Sequence, residues 1–366
     1  MTEREQQILA MIRENPLISQ AAIADRLGIS RPAVAGHIMN LVSKGIIKGR
    51  GYVISDAPFT AVIGGANIDI CGAPGARLRM RDSNPGRVNV SAGGVARNIA
   101  ENLARLGAEC RLISAIGYDD HGTLLCEQGE AAGIDMRYVL RSDKLPTSTY
   151  ISVLDDTGDM LVAINDMTIV DEITPERLQR HESMLRRASL LVVDTNLAEE
   201  SLTYIARTFD EQPLFVDTVS VAKADRISNV LDKVHTLKAT RDEAGELCGV
   251  DTPGNRQLPG VARTLHGRGV ERVFISLGEE GLFYSHDGDQ GIEKVKPAAA
   301  SIENASGAGD ALAAGLAYAW IQEWPLQRSV RFALSAASIA LAHPATINPG
   351  LTVAAVNEDY EARYAG

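Results

Sequence analysis

The sequence predicts a doubly wound α/β domain with a small β-sheet lid, preceded by a separate helical module. Three patterns carry this prediction. Beyond about residue 59, short strands alternate with amphipathic helices, and strands such as Leu190–Asp194 ("LLVVD") are apolar throughout, as both-face burial demands. Two stretches, 77–91 and 148–164, break the rhythm with polar alternation and read as lid strands. The first 56 residues carry helical periodicity only, ending in a short alternating segment.

The chain has 366 residues, which suits two domains of unequal size, 1–56 and 59–366, joined by the polar linker Ser55-Asp56-Ala57-Pro58. Hydrophobic residues make up 45%, charged residues 23% and aromatics 5%, so the core is built mainly from Ala, Val, Ile and Leu. A net charge of −11 argues against an undirected nucleic-acid or anionic-membrane binder. Residues 1–56 nevertheless hold seven Lys/Arg against five acids, about +2, which leaves about −13 on the remainder. Two regions of opposite sign imply two different partners. The four cysteines form no C-x-x-C pair, which fits a reducing compartment and argues against a zinc cluster or a disulfide framework. The N-terminus is not a signal peptide, and no apolar run approaches the roughly 18 residues of a membrane span, so the protein reads as cytoplasmic with no membrane partner.

In the first domain, residues 3–15 form a helix that Pro16 ends. Ser19 caps a second helix, 20–27, which Gly28 breaks, and Ser30 caps a third with Pro32 in its first turn. Val34, Ile38, Leu41 and Val42 form the apolar stripe of that helix, and Gly45 stops it. Residues 46–54 alternate as a hairpin around Lys48-Gly49-Arg50-Gly51. This succession, with "IADRLGIS" at 23–30, resembles a winged helix-turn-helix. The resemblance implies a third helix offering Arg31 and His37 to the major groove of DNA, with Lys48 and Arg50 on phosphates. Such modules also serve protein association, and the residues leave that open.

In the second domain, 61–63 and 68–70 read as strands, 94–106 as a helix, 111–116 as a strand and 121–132 as a helix. The alternation returns at 190–194, 199–209, 214–217 and 273–277, and helices at 308–321 and 326–342 close it.

The sharpest chemical signal is Asn304-Ala305-Ser306-Gly307-Ala308-Gly309-Asp310, leading into an Ala-rich helix. Glycines there let successive N–H groups converge on an anion at a helix N-terminus, and Asp310 is placed to take a proton from an attacking hydroxyl. Alone, the segment is equally a helix start with a first-turn acid. It is accompanied by "GGANID" (64–69) after the first strand and "GGVARN" (93–98) opening the first long helix.

Together, in this order and spacing, these segments resemble the ribokinase-like (PfkB) family of carbohydrate and nucleoside kinases, from Phe59 to about residue 352. The resemblance implies that Asp310 is the catalytic base and that Gly307, Ala308 and Gly309 cradle the phosphoryl group. It implies that Asn67, Asp69 and Asn98 bind the sugar, with Gly93 and Gly94 at the hinge between lid and body. It implies ATP and Mg²⁺, and leaves a monovalent cation such as K⁺ open. "ISLGEEGLFY" (275–284) is similar to the family's nucleotide-side hairpin, with Gly278 and Gly281 admitting ATP, and 336–340 would lie near the adenine. One departure stands out. The family's Asn-x-x-Glu is here Thr240-Arg241-Asp242-Glu243, so Glu243 can order Mg²⁺ through water while Thr240, on the ATP side, offers only a hydroxyl.

"DSNPG" (82–86), "TSTYISVLDDTGDMLVAINDM" (147–167) and "HTLK" (235–238) narrow the resemblance to family members acting on a C-nucleoside. Thr149, Asn165 and Asp166 would then contact the base, or merely shape the lid turn. Another nucleoside or a pentose remains an alternative substrate, and a regulator using the kinase fold as a ligand sensor an alternative role. Family lids often pair two subunits, which implies a homodimer.

Overall fold

Strands buried along all or nearly all of their length form the centre of the larger unit. In the computed structural model, which describes residues 1–48, 58–295 and 307–364, six of them run parallel: β1 (Phe59–Ile63), β4 (Glu109–Ile113), β9 (Leu190–Asp194), β10 (Leu214–Asp217), β11 (Thr236–Thr240) and β12 (Arg272–Ser276). β13 (Leu282–His286) and β14 (Asp289–Glu293) add an antiparallel edge, giving the order β14-β13-β12-β11-β10-β9-β1-β4. The lid is a second sheet of β2 (Asn67–Pro74), β3 (Gly86–Gly93), β7 (Thr149–Leu154) and β8 (Met160–Asp166), ordered β3-β2-β7-β8. A short parallel pair, β5 (Ala115–Gly117) and β6 (Leu140–Ser142), completes the strands.

Three sequence expectations shift. The strand at 68–70 is part of β2 and belongs to the lid. Residues 77–85 form turns, and the first lid strand of that region starts at Gly86. The single strand expected over 111–116 divides at Ser114, whose hydroxyl donates to the Gly64 carbonyl at 2.7 Å. Pairing with β1 stops there, and β5 turns away to join β6.

Helices Val95–Arg105, Ala308–Ile321 and Leu326–Leu341 cover one face of the main sheet. Ile99, Leu103, Leu312, Leu316, Val330 and Leu334 form one cluster with Val62, Leu112, Val192 and Phe215 of the strands. Ala336 and Ala340, at the ends of the stretch expected near an adenine, are buried among Ala311, Phe332, Leu351 and Val356, where their small size serves helix packing.

Contacts divide the chain into two compact units, Met1–Pro58 with Gln179–Arg187, and Phe59–Leu178 with Ala188–Gly366. In the first, Thr2 and Glu5 form a capping box on helix Glu3–Glu14, and Ser19 and Ser30 cap Gln20–Leu27 and Arg31–Ser43. Ile8, Ile12, Ile23, Val34, Ile38 and Leu41 make its core. Val42, expected in the stripe, is 37% exposed, because one residue past Leu41 turns about 100° around the helix. Buried Glu5 receives Lys44 Nζ at 2.8 Å. The expected hairpin over 46–54 falls mostly outside the described residues.

The sequence expectation that helices at 308–321 and 326–342 close the domain is corrected by a further helix, Val353–Tyr364, whose Val356 packs on Phe332 and Ala336. Helices Ala308–Ile321 and Leu326–Leu341 approach so closely that a Cβ on Gly315 would sit 2.7 Å from Ala333 Cα. Gly315→Val should therefore destabilise the larger unit by about 1–3 kcal/mol through overpacking. A lowered urea midpoint checks this, and an unchanged midpoint contradicts it.

Candidate active site

β1 ends at Ile63, and the glycine-rich turn after it passes over the end of β9. There the buried carboxylate of Asp194 accepts the backbone N–H groups of Gly65 (3.0 Å), Ala96 (2.9 Å) and Asn196 (2.9 Å). One side chain thus ties the turn to the first turn of helix Val95–Arg105. Gly94, the N-cap, has φ +99°, and a Cβ on it would lie 2.5 Å from the Gly65 carbonyl oxygen. Only glycine fits this crossing. The anchored helix points Asn98 at the far end of the sequence, where its Nδ2 donates to Asp310 Oδ2 at 2.8 Å.

On the lid side of the same turn, Asn67 Nδ2 donates to Asp69 Oδ1 at 2.6 Å. Burial raises the Asp69 carboxyl above its ordinary range, against the pull of that amide and of Arg97. Gly93 opposes Asn67 across β2 and β3, and a Cβ there would strike the Asp69 carboxylate.

The helix Ala308–Ile321 starts at Gly307, whose φ is +80° and whose missing Cβ would meet the Thr346 carbonyl oxygen at 2.1 Å. Residues 304–306 of the motif lie outside the described residues. The N–H groups of Ala308 and Gly309 lie in the first turn of this helix, where such groups favour an anion. Beneath them runs a row of charges. Asp194, Asp217 and Lys238 are register partners across β9, β10 and β11, so they share one sheet face at the strand ends. Lys238 Nζ is buried 2.9 Å from Asp217 Oδ2. It also lies 3.2 Å from where a Cβ on Gly309 would be.

These neighbours set the electrostatics. Burial, and then the nearby Asp217 carboxylate, push Asp310 up to about 7, with Asn98 and Lys238 opposing. Burial alone would depress Lys238, but Asp217, Asp310 and Glu243 outweigh it and hold the ammonium above its ordinary value. A carboxylate poised near neutrality beside a helix N-terminus can accept a proton from a hydroxyl while the amides hold an anion.

Other expected residues are distributed less simply. Register partners on the lid share a face, so Asp69, Tyr150 and Asn165 stand together while Ile68, Thr149 and Asp166 stand on the opposite side. Of the three residues expected at the base, Asn165 alone shares the face of Asp69. Asp166 instead accepts the hydroxyl (2.8 Å) and backbone N–H (3.2 Å) of Thr168, which shapes the turn and holds its carboxyl below the usual range. Thr240 and Glu243 form a capping box on helix Arg241–Cys248, and Thr218 also donates to Glu243 Oε2. Gly281 has a packing reason for being glycine, since a Cβ would meet the Glu293 carbonyl oxygen at 2.0 Å, whereas Gly278 takes φ +61° in an open turn.

Among the described residues no three His, Cys, Asp or Glu side chains converge as a metal cage. Water on a magnesium ion would be ordered by Glu243, whose Oε1 makes no hydrogen bond among them. In the first unit, Arg31 is exposed and His37 and Lys48 are half-buried, while Arg50 lies outside the described residues. No helix among the described residues is long and apolar enough to cross a membrane.

Sequence reasoning missed Asp194, Asp217, Lys238 and Tyr150 as site residues. For Asp194 and Asp217 the signal was a charged residue ending an apolar strand, as in "LLVVD" and "LFVD".

Residues 58–353 match the pfkB family of carbohydrate kinases, and residues 1–48 match the winged helix-turn-helix DNA-binding family. An uncharacterized sugar kinase of Escherichia coli (strain K12) is 39% identical over 96% of this chain and 97% of its own. The pseudouridine kinase of the same organism is 41% identical over 81% of this chain and 95% of its own. A carbohydrate kinase from Agrobacterium tumefaciens superposes with TM-score 0.74 at 28% identity, over 84% of this chain and 98% of that one. The Arabidopsis thaliana ribokinase complexed with ribose and ATP gives 0.76 at 22%, over 83% and 99%, a likeness of fold alone. The charged row at the strand ends and the Asn98–Asp310 pair thus sit in a chain that belongs to the pfkB family of carbohydrate kinases, phosphotransferases with an alcohol group as acceptor.

Proposed function

We propose that this chain is an ATP-dependent kinase of pseudouridine, acting on the 5′-hydroxyl to give pseudouridine 5′-phosphate and ADP. The observation that carries the chemistry is Asp310, held near neutral pKa and hydrogen-bonded by Asn98 at a helix N-terminus. The likeness to the pseudouridine kinase of Escherichia coli supports the substrate.

In this reading Asn67, Asp69 and Asn98 bind the ribose, and Gly93 and Gly94 form the hinge on which the lid closes. Asn165 meets the base from the polar lid face, with Tyr150 beside it. Asp310 takes the proton of the 5′-hydroxyl as its oxygen attacks the γ-phosphorus, and the N–H groups of the Gly307–Gly309 turn hold the phosphoryl oxygens. Thr240, Gly278 and Gly281 border the ATP. Bound magnesium would neutralise phosphate charge, with Glu243 ordering its waters.

Turnover should be selective for pseudouridine over uridine, adenosine, inosine and ribose, in assays with ATP and Mg²⁺ run with and without K⁺. Turnover of another member keeps the kinase and discards this substrate; tight nucleoside binding without turnover favours the ligand-sensing regulator. Asp310→Asn should retain nucleoside binding and lose roughly 10²–10⁴-fold in kcat. Asn98, Lys238, Asp217 and Asp194 all bear on Asp310. A base must be deprotonated to act, so kcat/KM should fall about tenfold per unit below pH 7 in the wild type and not in Asp310→Asn. Wild-type turnover in the variant would remove Asp310 from the role.

The N-terminal unit is proposed to bind DNA, with Arg31 and His37 toward base edges and Lys48 and Arg50 on phosphates. Gel shifts with DNA from upstream of the gene should weaken steeply with salt and on Lys48→Ala/Arg50→Ala. No shift of any genomic fragment at low salt would leave protein association as the module's role.

The lid supports a homodimer. Val88, Val90, Ile151, Val162 and Ile164 are all at least 40% exposed and lie on the face away from Asp69. A contiguous apolar sheet face of this kind is suited to a second copy of itself. Sedimentation should give a dimer for the wild type and a monomer for Val90→Glu/Ile164→Glu; a dimeric variant rejects this interface.

A further inference from the structure

We propose that Lys238 is a phosphate-binding residue whose ammonium contacts the phosphoryl group being transferred. The proposal rests on the phosphotransfer reading above and adds a residue to it.

Three observations lead there. The first is position: Lys238 Nζ lies 3.2 Å from the site of a Cβ on Gly309, so it stands against the helix turn whose N–H groups face an incoming anion. The second is unused capacity. An ammonium has three donors, and the ion pair to Asp217 at 2.9 Å is the single partner of Nζ among the described residues. A ligand can complete the donors that Asp217 does not take. The third is the local charge. Asp217 and, beyond it, Asp194 lie to one side of this point on the sheet, Asp310 faces it from the helix and Glu243 lies near, four carboxylates against the Lys238 ammonium. A phosphoryl group entering such a setting needs a fixed cation, and the helix amides alone carry only partial charge.

Asp217 positions the lysine rather than consuming it. Its Oδ1 accepts the Val219 N–H at 2.9 Å, and its Oδ2 faces the ammonium, so the pair is held on the sheet. In the transfer, the acceptor oxygen forms its bond to the γ-phosphorus, and the bond to the β,γ-bridging oxygen breaks with its electron pair leaving on ADP. The acceptor's proton goes to Asp310. Lys238 gives up no proton; it neutralises the phosphoryl oxygens as their charge is redistributed.

The test compares binding of the β,γ-imido analogue of ATP with binding of ADP, by calorimetry on the full chain with Mg²⁺. Lys238→Met strands the buried Asp217 charge and risks the fold, so Asp217→Asn/Lys238→Met, a neutral pair of similar volume, is measured with it, and thermal melts check folding. In the folded double variant the analogue should bind roughly tenfold or more weakly, the size of a lost charge-assisted hydrogen bond, while ADP changes less than about threefold. Equal weakening of both ligands, or no weakening of either, overturns the proposal. So does a wild type that binds the analogue no better than ADP. These results do not depend on the acceptor: a wild type that spares pseudouridine yet shows the expected ligand difference refutes the substrate and leaves Lys238 in place.

Discussion

The buried carboxylate of Asp194 is the constraint around which the larger unit is organised. Fully removed from water, it is pushed toward protonation by burial, and three backbone N–H groups together with the nearby Lys223 ammonium offset that cost. Those donors come from three separate places: the turn after β1, the first turn of helix Val95–Arg105, and the loop after β9. Fixing them at one atom pair decides where the lid strands leave the body and where Asn98 points. Gly64 and Gly94 are glycines because the carboxylate and the crossing backbone occupy the space of a side chain.

From that anchor the chemistry follows by short steps. Asn98, set by its helix, reaches Asp310; Asp310, set by the helix after Gly307, overlies the row of Asp194, Asp217 and Lys238. Parallel strands deliver these groups to one edge because their carboxyl ends coincide, the usual location of ligand sites in open α/β sheets. Burial and the Asp217 and Asp194 carboxylates raise Asp310, and the lysine restrains the rise, so that Asp310 titrates near neutrality.

The lid has two faces of opposite character. One carries Asn67, Asp69, Tyr150 and Asn165, and the other continues the buried Ile68 outward through exposed valines and isoleucines. A single sheet can therefore serve a polar ligand on one side and an apolar surface on the other. The N-terminal unit has its own capped helices and its own core, and its slight positive charge contrasts with the acidic remainder.

Much of this was legible in the sequence. Apolar strands, serine caps and glycine turns are local properties, so the helices at 20–27 and 308–321 and the strands at 190–194 and 214–217 fall where the residues predict them. The glycine-rich segments and Asp310 were visible because tight turns and anion cradles need particular residues at fixed spacing. What the sequence left undecided is everything set by pairing between distant segments. Register across β2, β7 and β8 separates Asn165 from Thr149 and Asp166, although all three are polar and Asn165 and Asp166 are neighbours in sequence. Register across β9, β10 and β11 assembles Asp194, Asp217 and Lys238 from strands that look like ordinary core. Glu243, chosen for an ion, also closes a capping box that local chemistry alone explains. Local preference acts over a few bonds and is written along the chain, whereas the burial, charge and hydrogen bonds that tune a site depend on neighbours that only the folded sheet brings together.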